Sequence, residues 1–245
     1  MNINKINIEC AGYSIVADWY EGSENKNILL VLPGYSSSRT KQKDLVNSVC
    51  EDTSFSALVI DYSGHGDSPF ELRDTRPAQH FLEVIYAFDW MKSRYPEATI
   101  SVMGTSYGGF LATQLTKYRA FPKLVLRVPA IYKPNEFYDL WAYRIDNPDA
   151  YRGEADKYRH DAGAILKHPL LSRASSFKGK TLVVVHEKDE LVPRETTDAF
   201  IKTFNADNFV AVGFSHSLAG VINERRITEA GLNEYEQKIS DWLKK

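Results

Sequence analysis

Thr99-Ile100-Ser101-Val102-Met103 runs into Gly104-Thr105-Ser106-Tyr107-Gly108-Gly109 and then into Phe110-Leu111-Ala112-Thr113-Gln114-Leu115. The first five residues read as an apolar strand, the last six as a helix, and the glycine-rich run between them as a sharp corner. A serine at such a corner is pushed into a strained backbone conformation, and small neighbours are needed for strand and helix to approach. Gly104 and Gly108 supply that room. The Ser106 hydroxyl then projects from the sheet, above the first N–H groups and the positive end of the helix. A bare G-x-S-x-G is common in loops. The strand before it and the helix after it mark Ser106 as a candidate nucleophile.

Outward from this corner, strand-like and helix-like segments alternate. Ile3 to Cys10 and Tyr13 to Tyr20 alternate apolar and polar residues around Ala11-Gly12, as an antiparallel hairpin does. Ile28 to Leu32, Ala57 to Ile60, Leu124 to Val128, Thr181 to Val185 and Phe209 to Val212 are further short apolar runs. Helical patterns separate them: a polar one near Thr40 to Cys50, and an amphipathic one from Arg76 to Arg94. The latter is expected to bury Phe81, Leu82, Ile85, Phe88 and Trp90. Such alternation implies a mostly parallel sheet with helices on both faces.

The rhythm breaks once, between Ile131 and Lys180, where Tyr132, Phe137, Tyr138, Trp141, Tyr143, Tyr151 and Tyr158 accumulate without a core-strand signal. A stretch this long is functional or has structure of its own. Residues 131–180 are read as a short helical cap within a single domain of residues 1–245, placed over the carboxyl ends of the strands where such sheets bind ligands. Phe137 and Trp141 are its candidate substrate contacts. The alternative is a surface excursion whose aromatics pack on one another.

The totals are those of an ordinary globular chain. Its 245 residues are 43% apolar and 25% charged, with a net charge of −2. That balance gives no pull towards nucleic acid or an anionic membrane. Cys10 and Cys50 are too few for a disulfide framework and are expected as free thiols. No metal motif is present, and neither a metal nor a cofactor is expected. Met1 to Ile6 shows no basic leader before an apolar block, and no apolar run reaches membrane-spanning length. A cytoplasmic location is the resulting expectation.

A serine hydroxyl needs a base in contact with it, a group that orients the base, and donors for the developing oxyanion. The acid candidate is Asp189, just past the strand Thr181 to Val185, with Pro193 suited to the first turn of the next helix. Glu187 and Glu190 compete with it. The base candidate is His216, in Gly213-Phe214-Ser215-His216-Ser217 after the last strand. His80, His160 and His168 are expected at the surface, and His186 is expected to shape its turn. The oxyanion donors are expected to be the Tyr107 N–H, directly after the serine, and the Tyr35 N–H, in Leu32-Pro33-Gly34-Tyr35-Ser36. Arg127 is a charge inside an apolar strand and calls for a nearby acid, with a substrate carboxylate as the alternative.

Together these residues resemble the α/β-hydrolase family from Ile28 to the final helix. Four markers carry the likeness: Leu32-Pro33-Gly34-Tyr35, Asp61-Tyr62-Ser63-Gly64-His65-Gly66-Asp67-Ser68, the Ser106 corner, and the Asp189/His216 pair. The second is similar to the D-x-x-G-x-G-x-S turn of the monoacylglycerol-lipase-like and serine-aminopeptidase-like branches. There His65 and Asp67 are expected to be architectural, with Asp67 and Ser68 bonding the backbone. The resemblance implies about eight strands and an acid after the sixth or seventh. Pro129-Ala130-Ile131 follows the earlier strand, which favours Asp189. One departure is Pro33-Gly34, where the family commonly carries His-Gly.

The resemblance implies hydrolysis of a small-molecule carboxylic ester or thioester through an acyl-Ser106 intermediate. Leu32 to Tyr35 and Asp61 to Gly64 also resemble acyl-protein thioesterase-like members. A peptidase or amidase is the alternative, because the corner also resembles prolyl-peptidase-type elbows. Glu136, Asp139, Asp146 and Asp149 would then be available to bind a free amine. A ligand-binding receptor on the same scaffold is a third reading.

Overall fold

The computed structural model describes residues 1–217 and 228–245. Its eight strands form one sheet in the order β1-β2-β4-β3-β5-β6-β7-β8. β1 (Asn2–Cys10) and β2 (Tyr13–Glu21) are the expected antiparallel hairpin. β2 also pairs antiparallel with β4 (Ser56–Ile60). From β4 onward, through β3 (Asn27–Leu32), β5 (Thr99–Thr105), β6 (Lys123–Arg127), β7 (Lys180–Lys188) and β8 (Asp207–Ser215), every pairing is parallel.

The strands alternate side chains between two apolar layers. Ile28, Leu30 and Leu32 of β3 enter a core with α2 (Pro77–Arg94), α3 (Tyr107–Leu115) and α8 (Arg194–Phe204). Leu29 and Val31 face the other way, into a core with α1 (Lys43–Thr53) and α9 (Glu229–Lys244). Burial on both faces is why these strands read as unbroken aliphatic runs. β8 is an edge strand, and there Val210 and Val212 are exposed.

Two expectations about α2 are corrected. Its buried face is Phe81, Val84, Ala87, Phe88 and Met91, whereas Leu82 is 53% exposed and Ile85 and Trp90 are only partly covered. Leu82 follows Phe81 by one residue, about 100° round the helix, and so falls off that stripe. His80 on the same helix is fully buried, as is most of His168, so neither lies at the surface; His160 does. His80 Nδ1 meets the Tyr107 hydroxyl at 2.8 Å. His168 Nε2 donates to the Tyr132 carbonyl at 2.9 Å while its Nδ1 accepts from Leu170 N–H at 3.0 Å.

Between β6 and β7 the chain forms a short 3₁₀ turn (Pro134–Phe137) and four helices: α4 (Ala142–Asp146), α5 (Pro148–His160), α6 (Ala162–Leu166) and α7 (Pro169–Ala174). This segment is anchored to the core, and its aromatics also pack on one another, as Tyr132 does on Trp141 and Phe137 on Tyr138. Tyr132, Trp141, Ile165, Leu170 and Leu171 all join the main apolar layer. Among the described residues no helix is long and apolar enough to cross a membrane.

Topology sets where a site can form. After β3 the chain moves to β4 on one side, then crosses to β5 on the other, so β3 and β5 are neighbours that run to opposite sides. The loops leaving the carboxyl ends of such a pair diverge and leave a crevice. Here those loops carry Gly34-Tyr35 and Ser106.

Candidate active site

Ser106 occupies the corner between β5 and α3 with φ 53° and ψ −112°. A non-glycine residue there costs about 1–3 kcal/mol and persists only where its surroundings hold it. Its N–H donates to the Arg127 carbonyl at 2.8 Å, and its carbonyl accepts from Ala130 N–H at 3.1 Å and Phe110 N–H at 3.2 Å. The glycines do what the sequence asked of them. A Cβ on Gly104 would stand 2.3 Å from the Gly108 carbonyl oxygen, and one on Gly108 would stand 1.9 Å from that of Leu32.

The Ser106 Oγ lies 3.0 Å from His216 Nε2. His216 Nδ1 lies 2.7 Å from Asp189 Oδ2 and 2.9 Å from Oδ1. A carboxylate can only accept, so Nδ1 carries the proton and Nε2 is left to accept from the serine. The Asp189 side chain is 3% exposed, and its Oδ1 also accepts from Leu191 N–H at 2.9 Å and Val192 N–H at 2.8 Å. These bonds fix its direction towards the imidazole. Glu187 turns away to accept from Gly213 N–H at 2.8 Å.

Tyr35 and Tyr107 flank the serine. A Cβ on Gly34 would touch the Ser106 Cβ at 3.6 Å, which places the loop after β3 directly against the nucleophile candidate. No acceptor among the described residues takes the N–H of Tyr35 or of Tyr107. His65 braces this loop: its Nε2 accepts from Ser36 N–H at 3.2 Å, and its Nδ1 donates to the Ser63 carbonyl at 3.2 Å. Burial holds its pKa below the ordinary histidine value, which keeps Nε2 free to accept.

The turn from Asp61 to Ser68 is built around Asp61 rather than Asp67. Buried Asp61 accepts from Arg39 N–H at 2.6 Å, from Asp67 N–H at 3.1 Å and from the Arg39 guanidinium. Gly66, at φ +52°, leaves space for that carboxylate, 2.0 Å from where its Cβ would be. Ser68 bonds the backbone as expected, donating to the Asp61 carbonyl at 2.7 Å and accepting from Val16 N–H at 2.8 Å. Asp67 departs from expectation: its carboxylate pairs with Lys5 at 2.7 Å and Arg39 at 2.8 Å, which lowers its pKa to about 2.

Arg127 also departs from expectation. Its described partners are hydroxyls: Nε donates to Tyr235 at 2.6 Å and Nη1 to Thr105 at 3.1 Å. The Tyr235 hydroxyl donates onward to His186 Nε2 at 3.2 Å, and His186 Nδ1 donates to the Ser215 carbonyl at 2.6 Å. Burial first, and the Arg127 charge second, push the His186 pKa down to about 3. This buried relay ends on the residue before His216. Its sequence signal was the lone arginine in β6; nothing pointed to Tyr235.

Phe137 and Trp141 are set apart. Trp141 is buried against Tyr35 at 4.7 Å and Tyr107 at 5.3 Å between ring centres. Phe137 instead lines a cavity of about 250 Å³ with Phe81, Phe110, Tyr118, Tyr138 and Arg173, a lining that includes neither Ser106 nor His216.

Comparison with known proteins agrees with this architecture. Residues 23–147 match the family model for serine aminopeptidase, S33, a span that includes Ser106 and the loop after β3 and ends before Asp189 and His216. Human protein ABHD12B is 27% identical over 188 residues, which cover 72% of this chain and 50% of that protein. Proline iminopeptidase PfmaB of Pestalotiopsis fici is 32% identical over 95 residues, 38% of this chain and 32% of its own length. The chain therefore spans half or less of the curated relatives it matches. The solved esterase Pf2001 of Pyrococcus furiosus superposes with a TM-score of 0.71 at 18% identity, over 99% of this chain and 92% of that one.

Proposed function

Because the chain belongs to the serine aminopeptidase S33 family and has the α/β-hydrolase fold, we propose that it hydrolyses carboxylic esters or thioesters through an acyl-Ser106 intermediate. The observation that carries this reading is the unbroken line from Asp189 through His216 to Ser106, with bonds of 2.7 and 3.0 Å.

His216 Nε2 takes the Ser106 proton as Oγ attacks the carbonyl carbon. Asp189 holds the ring in the required tautomer and stabilises the imidazolium. The oxyanion of the tetrahedral intermediate accepts from the N–H groups of Tyr35 and Tyr107. The imidazolium then protonates the leaving alcohol or thiol as the carbon–heteroatom bond breaks. Water, deprotonated by His216, attacks the acyl-enzyme and releases the acid. The 131–180 segment serves as the cap of this single domain, with Trp141 in the wall beside both oxyanion donors. The likeness to the esterase Pf2001 supports the ester class, and the likenesses to the serine aminopeptidase family and to proline iminopeptidase PfmaB support amide bonds as the second reading.

The test is initial rates on p-nitrophenyl esters from acetate to palmitate, on a thioester and on amino-acyl p-nitroanilides, native against Ser106→Ala. Ester or thioester turnover that falls by at least about 10³-fold in the variant is expected. Equal rates in both proteins would end the reading. Turnover confined to anilides would transfer it to the peptidase class.

A further inference from the structure

Arg144, on α4, stacks its guanidinium carbon 3.5 Å from the centre of the Tyr35 ring, with Tyr151 at 4.9 Å and Trp141 at 5.5 Å. Aromatic faces stabilise a cation there but give its N–H groups nothing to bond. Its Nη1 is shut off from solvent and has no acceptor among the described residues. The indole Nε1 of Trp141, three residues earlier, is in the same condition. A sealed donor without an acceptor is costly, and more so when charged. Two such donors lie in one cluster.

The cluster adjoins the reacting centre. Tyr35, under the guanidinium, is the proposed donor that follows Gly34 across Ser106. Trp141 packs on the ring of Tyr107, the other proposed donor. Of the acids in the same segment, Glu136 touches the cluster through Tyr151, while Asp146, Glu154 and Asp139 are engaged elsewhere. Glu136 accepts from the Tyr151 hydroxyl at 2.8 Å and from Lys133 N–H at 3.3 Å. Asp146 pairs with Arg73 at 3.0 Å, Glu154 with Lys133 at 2.6 Å, and Asp139 accepts from Asn135 at 3.2 Å. Arg144 itself is ion-paired with no carboxylate among the described residues, so its guanidinium disfavours an ammonium and favours a carboxylate.

We propose that Arg144, with the Trp141 indole N–H as second donor, forms a subsite for a carboxylate on the substrate, so that the preferred substrates are half-esters of dicarboxylic acids. This rests on the reading of Ser106 as nucleophile. Arg144 supplies a charge-assisted bond that neutral acyl chains cannot use, and it repels the free amine that an aminopeptidase substrate would bring.

The experiment compares p-nitrophenyl half-esters of adipic, suberic and sebacic acids with the chain-matched hexanoate, octanoate and decanoate, and with the 6-aminohexanoate ester. Rates with Ser106→Ala are subtracted as background. The native protein is expected to favour at least one half-ester over its neutral match by about tenfold or more in kcat/KM, chiefly through KM, and to turn over the ammonium ester most slowly. Arg144→Met should bring the anionic-to-neutral ratio close to one; the ratio cancels any general loss of activity. A native ratio near one at every length, or a ratio unchanged in Arg144→Met, overturns the subsite. If no ester is turned over, calorimetric titration of Ser106→Ala with monomethyl adipate against methyl hexanoate still decides it. Tighter binding of the anion supports the subsite, and equal or no binding refutes it.

Discussion

Gly108→Ala tests whether close packing at the corner builds the site. A Cβ at this position would stand 1.9 Å from the Leu32 carbonyl oxygen, 2.5 Å from its carbon and 2.6 Å from the Pro33 oxygen. Ordinary C···O contacts begin near about 3.3 Å, so α3 and the end of β3 must part by roughly 1.4 Å. Both sides of the clash are backbone, and Leu32 is held in register opposite Gly104, so neither yields cheaply. Overpacking of this kind costs about 1–3 kcal/mol, and the upper part of that range lowers Tm by about 5–10 °C for a chain of this length. Pro33 leads directly into Gly34 and Tyr35. The same displacement therefore moves the proposed oxyanion donor away from Ser106, and a shift of about 1 Å in a reacting geometry costs on the order of 10²-fold. Thermal melting by circular dichroism, with kcat/KM on the best p-nitrophenyl ester, reads both effects. Gly153→Ala is the control, since nothing lies within 4 Å of its Cβ in α5. It should raise stability by about 0.5–1 kcal/mol and leave the kinetics alone. A Gly108→Ala protein that melts with the native chain refutes the steric argument. One that is destabilised but keeps its kcat/KM refutes the link to the loop.

Two further outcomes follow from buried charge. Arg39→Met removes the cation that faces Asp18, Asp61 and Asp67 and leaves the fully buried Asp61 uncompensated, so urea unfolding should show a loss of about 3–5 kcal/mol. Lys5→Ala, which removes an exposed partner of Asp67, should cost less than about 1 kcal/mol. His65, His80, His168 and His186 all have pKa values lowered by burial, so each stays neutral in the folded state while its unfolded counterpart gains a proton below about 6.5. Stability is then fully present above pH 6.5 and falls as pH drops; His186, at about 3, alone accounts for about 2 kcal/mol at pH 5. Glu83 and Glu236, raised by burial, act with the opposite sign and stabilise on acidification, so the check is against His186→Asn: a native Tm that falls no more steeply from pH 7.5 to 5 than the variant's would contradict the histidine account.

The sheet was legible because the property that makes these strands central also makes them visible: burial on both faces demands continuous aliphatic runs such as Leu29-Leu30-Val31-Leu32. The Ser106 corner was legible because its glycines are forced by contact distances. What escaped is what distant partners decide. His80 looks like a surface residue in an amphipathic helix until Tyr107 closes over it, 27 positions along the chain. Arg127 announces a partner, and that partner is a hydroxyl 108 positions away. Arg144 lies in Tyr143-Arg144-Ile145-Asp146, a stretch with no periodicity to suggest that its guanidinium is covered by three aromatic rings.

The escaped residues share a trait that bears on how the site is held. Arg144 apart, these residues and His65 are polar groups beneath the candidate site whose bonds end on one of its residues or on the backbone beside one. His65 takes the N–H beside Tyr35, His80 meets the side chain of Tyr107, and Arg127, Tyr235 and His186 pass a chain of bonds to the carbonyl beside His216. Apolar packing can fill such spaces but cannot fix the direction of an N–H or the height of a loop, because dispersion is not directional. Hydrogen bonds can, and in a buried layer they bring the penalty that any broken one leaves an unsatisfied group. The Pro33-Gly34 sequence fits this arrangement. Pro33 contributes no N–H, and its carbonyl accepts from the Tyr62 hydroxyl at 3.1 Å, so the loop is fastened from below by Tyr62 and His65. The turn from Asp61 to Ser68 thus supports the site through its side chains, and its conformation and that of the Ser106 corner are parts of one device.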